Sequence, residues 1–143
     1  MVASDYVVSI LATLMWNESH EDLILGMTLC GLVVRNRMVA GWEDGDWLRL
    51  IQKHDSYHFP TDKTPRAMKH GNPHHDMLFK RCLAVAENIY HGRERDITAD
   101  PAGNGALWYG RLTACSEEFK EKIVRRMSDH NMIATIGRNA CFR

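Results

Sequence analysis

At 143 residues the chain is long enough to bury one hydrophobic core without metal or disulfide staples, and no linker or internal repeat divides it, so one domain spanning residues 1–143 is expected. Charged residues at 25% and hydrophobic ones at 45% exclude a disordered or fibrous chain. Lysine plus arginine equals aspartate plus glutamate at 18 each, so no global basic field exists to attract nucleic acid or an anionic membrane, and neither partner is expected.

From Ser4 or Asp5, the residues Val7, Ile10, Leu11, Leu14 and Met15 recur at helical spacing, which predicts a first helix capped by Ser4 and ending near Asn17. A second stretch from about Glu21 to Met38 carries Leu23, Met27, Cys30 and Val34 on one stripe, widened by Leu29, Leu32 and Val33. Being apolar nearly all round, it is expected to be a buried central helix. Gly41 to Gly45 breaks the pattern, and a short amphipathic piece follows through Trp47, Leu48 and Ile51. Lys53 to His75, with Pro60, Pro65 and Pro73, has little periodicity; a long irregular stretch of this kind is more often functional than decorative.

A further helix reads from Asp76 to His91, with Gly92 as its stop. Asp96 to Gly105 is rich in turn residues. Ala106 to Gly110 reads as a short strand or buried extended segment, Ser116 caps a helix running to Met127, and Met132 to Ile136 reads as a strand or final turn. The fold class expected is therefore mainly α, a compact helical domain with at most a small β element.

Cys30, Cys82, Cys115 and Cys141 lie far apart with no C-x-x-C pair, so neither a zinc site nor a disulfide framework is indicated. The N-terminus lacks a basic n-region, and the apolar run from Tyr6 to Trp16 is too short to cross a bilayer. Cytoplasmic synthesis without a signal peptide, no stable membrane insertion, and a monomer are the expectations. No cofactor is called for by any motif.

Glu18 stands where the first helix ends, beside Trp16 and ahead of the apolar second helix. A carboxyl held against aromatic and aliphatic surface loses hydration of its charged form and keeps its proton near neutrality, which a glycosidase needs for the leaving oxygen. A glutamate between two helices also fits a capping or solvent-facing residue. Beyond it, Trp16-Asn-Glu-Ser-His-Glu-Asp22, Gly26-Met27 and Val33-Val-Arg-Asn-Arg37 resemble the opening motif of the spore cortex-lytic, SleB-like cell wall hydrolases. That motif has the form (N/G)-E-A-R-G-E, then a glycine-glutamine pair, then a helix closing on (I/L)-L-N-R. Counted without a gap, Glu18, Asp22, Gly26, Asn36 and Arg37 agree in type and spacing. Gly105-Ala-Leu-Trp-Tyr109 is similar to the family's G-A-L-Y-F segment, and Ile136-Gly137 to its I-G-x-H-x-F-Y ending. The departures are Met27 for glutamine, Asn139 for histidine, Arg111 and Leu112 for an N-P pair, and Asp55-Ser-Tyr-His58 for a Q-F-S loop.

The resemblance implies a lysozyme-like fold and cleavage of the bond between N-acetylmuramic acid and N-acetylglucosamine in peptidoglycan, with Glu18 as catalytic acid. Family members that are lytic transglycosylases let the sugar's own hydroxyl attack, so one acid/base suffices. A hydrolytic muramidase wants a second carboxylate, for which Glu21, Asp22 and Asp55 are the candidates. Expected substrate contacts are Asp22, Asn36, Ser56, Tyr57, His58, Trp108 and Tyr109. Asp22 equally fits a helix cap, Arg37 a helix-end anchor, and the Trp108-Tyr109 pair core packing. A short chain of this kind implies a wall-lysing enzyme delivered by another protein, as a bacteriophage endolysin is.

Two rival readings remain. Eight histidines, with His54, Asp55 and His58, then His70, His74, His75 and Asp76, invite a zinc amidase or peptidase. Gly71 and Pro73 keep His70 and His74 off a single helical face, and no H-E-x-x-H is present. The other rival is a non-catalytic wall-binding or particle module, in which position 18 would tolerate any residue.

Overall fold

The structure, a computed structural model, describes residues 4–54, 71–100, 103–111, 132–136 and 139–143. These are mainly helical, with one small sheet, as the composition and periodicity led one to expect. The chain divides into two compact units, Met1–Arg95 and Asp96–Arg143, and the division falls where the turn-rich stretch begins.

The first unit holds four helices: α1 (Ser4–Ser19), α2 (Leu23–Val39), α3 (Trp47–His54) and α4 (Pro73–Tyr90). All nine residues from Gly26 to Val34 of α2 are buried, so this helix is enclosed on every side, as its uniform apolarity demands. It packs against α1, α3 and α4. Ile10, Leu11, Leu14, Met15, Trp16, Met27, Leu29, Leu32, Ile51 and Ile89 are wholly buried between these helices. Gly31 marks the tightest crossing: a Cβ there would stand 2.6 Å from Ile89 Cδ1 and 2.9 Å from Met15 Sδ.

Connections between the helices are short and chemically specified. A single 3-10 turn, His20–Asp22, joins α1 to α2. After α2, Gly41 at φ 88° opens a second 3-10 turn, Trp42–Gly45, in which Glu43 and Asp44 are left-handed, and Lys53 Nζ reaches back to Glu43 Oε1 at 2.7 Å. Asp46 Oδ1 accepts from Arg49 N at 3.1 Å and so caps α3. The fourth helix starts three residues earlier than the periodicity predicts. Asn72 Oδ1 accepts from the amides of His74 and His75 at 3.0 and 3.2 Å, and Pro73 occupies the first helical position, where its missing N–H costs nothing. Its end is the glycine stop expected: Gly92 at φ 73° donates to Ile89 O and Arg93 N to Asn88 O, the paired bonds of a Schellman motif.

The second unit contains a three-stranded antiparallel sheet of β1 (Trp108–Arg111), β2 (Met132–Ile136) and β3 (Asn139–Phe142), in the order β1-β3-β2. β3 is the central strand and is buried along its length, so its sequence Asn-Ala-Cys-Phe lacks the alternation that identifies a half-exposed strand. Asp96 Oδ1 accepts from both the amide and the hydroxyl of Thr98, whose hydroxyl oxygen in turn accepts from Ala106 N at 2.9 Å. This network leads the chain into β1. The expected helix from Ser116 to Met127 lies outside the described residues.

No described helix is long and apolar enough to cross a membrane. Among the described residues Cys30, Cys82 and Cys141 are buried thiols outside any disulfide.

Candidate functional site

Glu18 occupies the last turn of α1 and is exposed. The sequence suggested that Trp16 would shield it. The geometry corrects this, because residues two apart on a helix point about 200° apart; Trp16 turns wholly into the core while Glu18 faces outward. Glu18 is therefore not shielded by its own helix.

The turn that carries Glu18 is firmly anchored. The imidazole of His20 stacks on the Trp16 indole at 5.0 Å between centroids and 10° between planes. From α4, His75 and Phe79 meet the same indole edge-on at 5.4 and 5.7 Å. His20 has no place in the sequence-derived site; its i, i+4 spacing from Trp16 is the signal that could have drawn attention to it.

Asp22 stands at the N-cap position of α2 at φ −89°, ψ 9°, yet its side chain makes no capping hydrogen bond. It lies instead along the helix against Gly26, where an added Cβ would collide with the Asp22 Cβ. The spacing Asp22-x-x-x-Gly26 thus has a steric meaning: only glycine leaves room for the carboxylate-bearing side chain. Between them Leu23 adopts φ 59°, ψ −155°, a region that side chains other than glycine's rarely enter, and its side chain is 53% exposed. Glu21 is exposed beside Asp22 in the same turn.

Asn36 is not brought to this place. It lies fourteen residues beyond Asp22 in the last turn of α2, about 20 Å away along the helix axis, where its carbonyl accepts from Ala40 N at 2.9 Å. Its neighbour Arg37 is a helix-end anchor: the guanidinium sits 4.9 Å from the centroid of Trp42 and 3.1 Å, through Nη1, from Nδ1 of His54. Ser56, Tyr57 and His58, together with Asp55, lie outside the described residues.

Trp108 and Tyr109 belong to the second unit, half-buried on β1 and paired with Phe142 and Cys141 of β3. Consecutive strand residues face opposite sides of a sheet, so the two rings do not form one continuous platform. Trp108 packs against the buried pair Ala140 and Phe142.

Metal and thiol chemistry find little here. Since a guanidinium only donates, His54 Nδ1 accepts from Arg37, and the proton resides on Nε2, 3.8 Å from Cys30 Sγ. Burial first, and the Arg37 charge second, push His54 down to about 3. Its lone pair is therefore committed. Among the described residues no group of three His, Cys, Asp or Glu side chains converges as a metal site; His58 and His70 lie outside them. Burial pushes the Cys82 thiol up to about 12, and burial with the nearby Asp96 charge pushes Cys141 up to about 11, so neither is an activated nucleophile.

Compared with protein-family models, curated proteins and solved structures, the chain matches none.

Proposed function

We propose that the chain is a peptidoglycan-cleaving glycosidase, a lytic transglycosylase or muramidase, in which Glu18 acts as general acid on the bond between N-acetylmuramic acid and N-acetylglucosamine. The observation that carries this reading is the placement of Glu18: exposed, in the last turn of a helix anchored through the buried Trp16, and one 3-10 turn from Asp22 packed on Gly26. The residues with this arrangement are those on which the resemblance to SleB-like hydrolases rests, and a lysozyme-like relationship of the fold belongs to the same proposal.

An exposed carboxyl is open to a polymeric substrate. Water displaced when a glycan strand covers Glu18 disfavours its charged form, so the substrate supplies the desolvation that the free helix lacks. Glu18 then gives its proton to the glycosidic oxygen as the bond to the anomeric carbon breaks. In the transglycosylase course a hydroxyl of the same sugar attacks that carbon and returns its proton to Glu18, leaving an anhydro end. In the hydrolytic course water attacks and gives up its proton to a second carboxylate, for which Glu21 and Asp22 in the adjoining 3-10 turn are the candidates.

Of the proposed contacts, Asp22 is the one next to the acid. Asn36 would touch only a distant part of a strand, and Trp108 and Tyr109 are proposed as glycan contacts on the resemblance alone. The setting proposed is the bacterial wall, reached with the help of another protein. Purified peptidoglycan incubated with wild type and Glu18→Gln, both confirmed folded, tests the proposal: soluble disaccharide-containing fragments are expected from the wild type alone. Equal release by both would overturn it.

A further inference from the structure

The last four carbonyls of a helix have no intrahelical donor. In α1 they belong to Trp16, Asn17, Glu18 and Ser19, the turn that bears the proposed acid. No basic residue stands in that turn, and in place of a left-handed glycine the helix passes at its last residue, Ser19 at φ −143°, ψ 16°, straight into the 3-10 turn His20–Asp22.

His20 adds a side-chain contact to this end. Its Nδ1 lies 2.9 Å from the Trp16 carbonyl oxygen; an oxygen of this type only accepts, so Nδ1 carries the hydrogen and donates it. The same ring lies flat on the Trp16 indole, which is wholly buried and braced edge-on by His75 and Phe79. Both ends of the segment from Trp16 to His20 are therefore fixed, one by the core and the other by the imidazole, with Glu18 between them on the outward side.

We propose that His20 is a positioning residue for Glu18, its imidazole clamping the Trp16 carbonyl so that the last turn of α1 presents the carboxyl in one direction. The proposal rests on Glu18 being the acid. A proton donor displaced by about 1 Å can lose on the order of a hundredfold in rate, whereas a substrate held by many other groups binds almost as before.

Three variants separate the donor from the ring. His20→Asn places an amide nitrogen where Nδ1 stood, His20→Phe keeps a stacking ring without a donor, and His20→Ala removes both. Turnover of purified peptidoglycan is expected to fall roughly ten- to a hundredfold in kcat for Ala and Phe, with KM within about twofold, and to be largely restored by Asn. Amide hydrogen exchange of Glu18 and Ser19, followed by NMR without substrate, is expected to quicken in Ala and Phe but not in Asn. Unchanged exchange in His20→Ala, or Phe matching Asn in kcat, would overturn the clamp. A wild type that leaves peptidoglycan intact while exchange responds as expected overturns the glycosidase reading and leaves the clamp standing.

Discussion

The guanidinium of Arg37 donates to Nδ1 of His54 across 3.1 Å and lies over the Trp42 ring, joining the end of α2 to the end of α3 and to the turn between them. The bond needs a neutral imidazole. Because the folded chain holds His54 at about 3 against an ordinary 6.5, the unfolded chain binds the extra proton between those values. Stability from this contact is full above pH 6.5 and declines as the pH falls toward 3, with a slope of up to about 1.4 kcal/mol per pH unit. In NMR titration His54 is expected to show no protonation down to pH 5. In Arg37→Gln its midpoint should rise but stay below 6.5, since burial is the larger cause. A wild-type midpoint near 6.5 would contradict the arrangement.

Gly26 makes a second test. Alanine in a helix ordinarily gains up to about 1 kcal/mol over glycine, but at this position the new methyl meets the Asp22 side chain. Gly26→Ala is expected to destabilise by about 1–3 kcal/mol in urea unfolding. Combining it with Asp22→Gly, which removes the opposing Cβ, should recover most of that loss. A stabilised single variant would mean that the two residues are not in contact.

Leu23 is held at a positive φ with its side chain more than half exposed, so strain at this position is not repaid by burial. Leu23→Gly is expected to raise stability by about 1–2 kcal/mol once relief of strain is set against the entropy of glycine. Leu25, exposed in the first turn of α2, serves as control: Leu25→Gly should cost up to about 1 kcal/mol. Thermal unfolding of the pair distinguishes them, and a loss in both would contradict the strained backbone.

Trp108 packs on Ala140 and Phe142 within the second unit. Its replacement by alanine is expected to destabilise that unit by about 2–4 kcal/mol, visible as earlier loss of β-strand protection in hydrogen exchange. Tyr109→Ala is the cleaner probe of glycan contact. Weakened sedimentation with insoluble peptidoglycan and an unchanged melting temperature would assign Tyr109 to the substrate. Unchanged binding would remove it from the site.

The sequence revealed most clearly what depends on long apolar runs. The enclosure of α2 followed from its uniform apolarity, and Gly92 announced the end of α4. Elsewhere local chemistry competed with the pattern. Pro73 reads as a breaker until Asn72 is seen to cap the helix that Pro73 begins, and β3 is hidden because a central strand buried on both faces shows no alternation. At the candidate site, Glu18 was marked by its place at the end of the first helix, and Asp22 and Gly26 by the resemblance to SleB-like hydrolases. The error about the shielding of Glu18 arose from treating a neighbour in sequence as a neighbour in space. The strain at Leu23 has no sequence signature, and the i, i+4 spacing of Trp16 and His20 shows only that the two rings could meet, because both features depend on how one turn joins two helices.

The most direct test of the central claim is mass spectrometry of fragments released from purified peptidoglycan by wild type and by Glu18→Gln, each shown to be folded and each also assayed with EDTA. Disaccharide-containing fragments from the wild type, unaffected by chelation and absent with the variant, are the expected result, with anhydro ends marking a transglycosylase and reducing ends a hydrolase. Full activity in Glu18→Gln, or peptide fragments lost on chelation, would contradict the assignment of Glu18 as the acid.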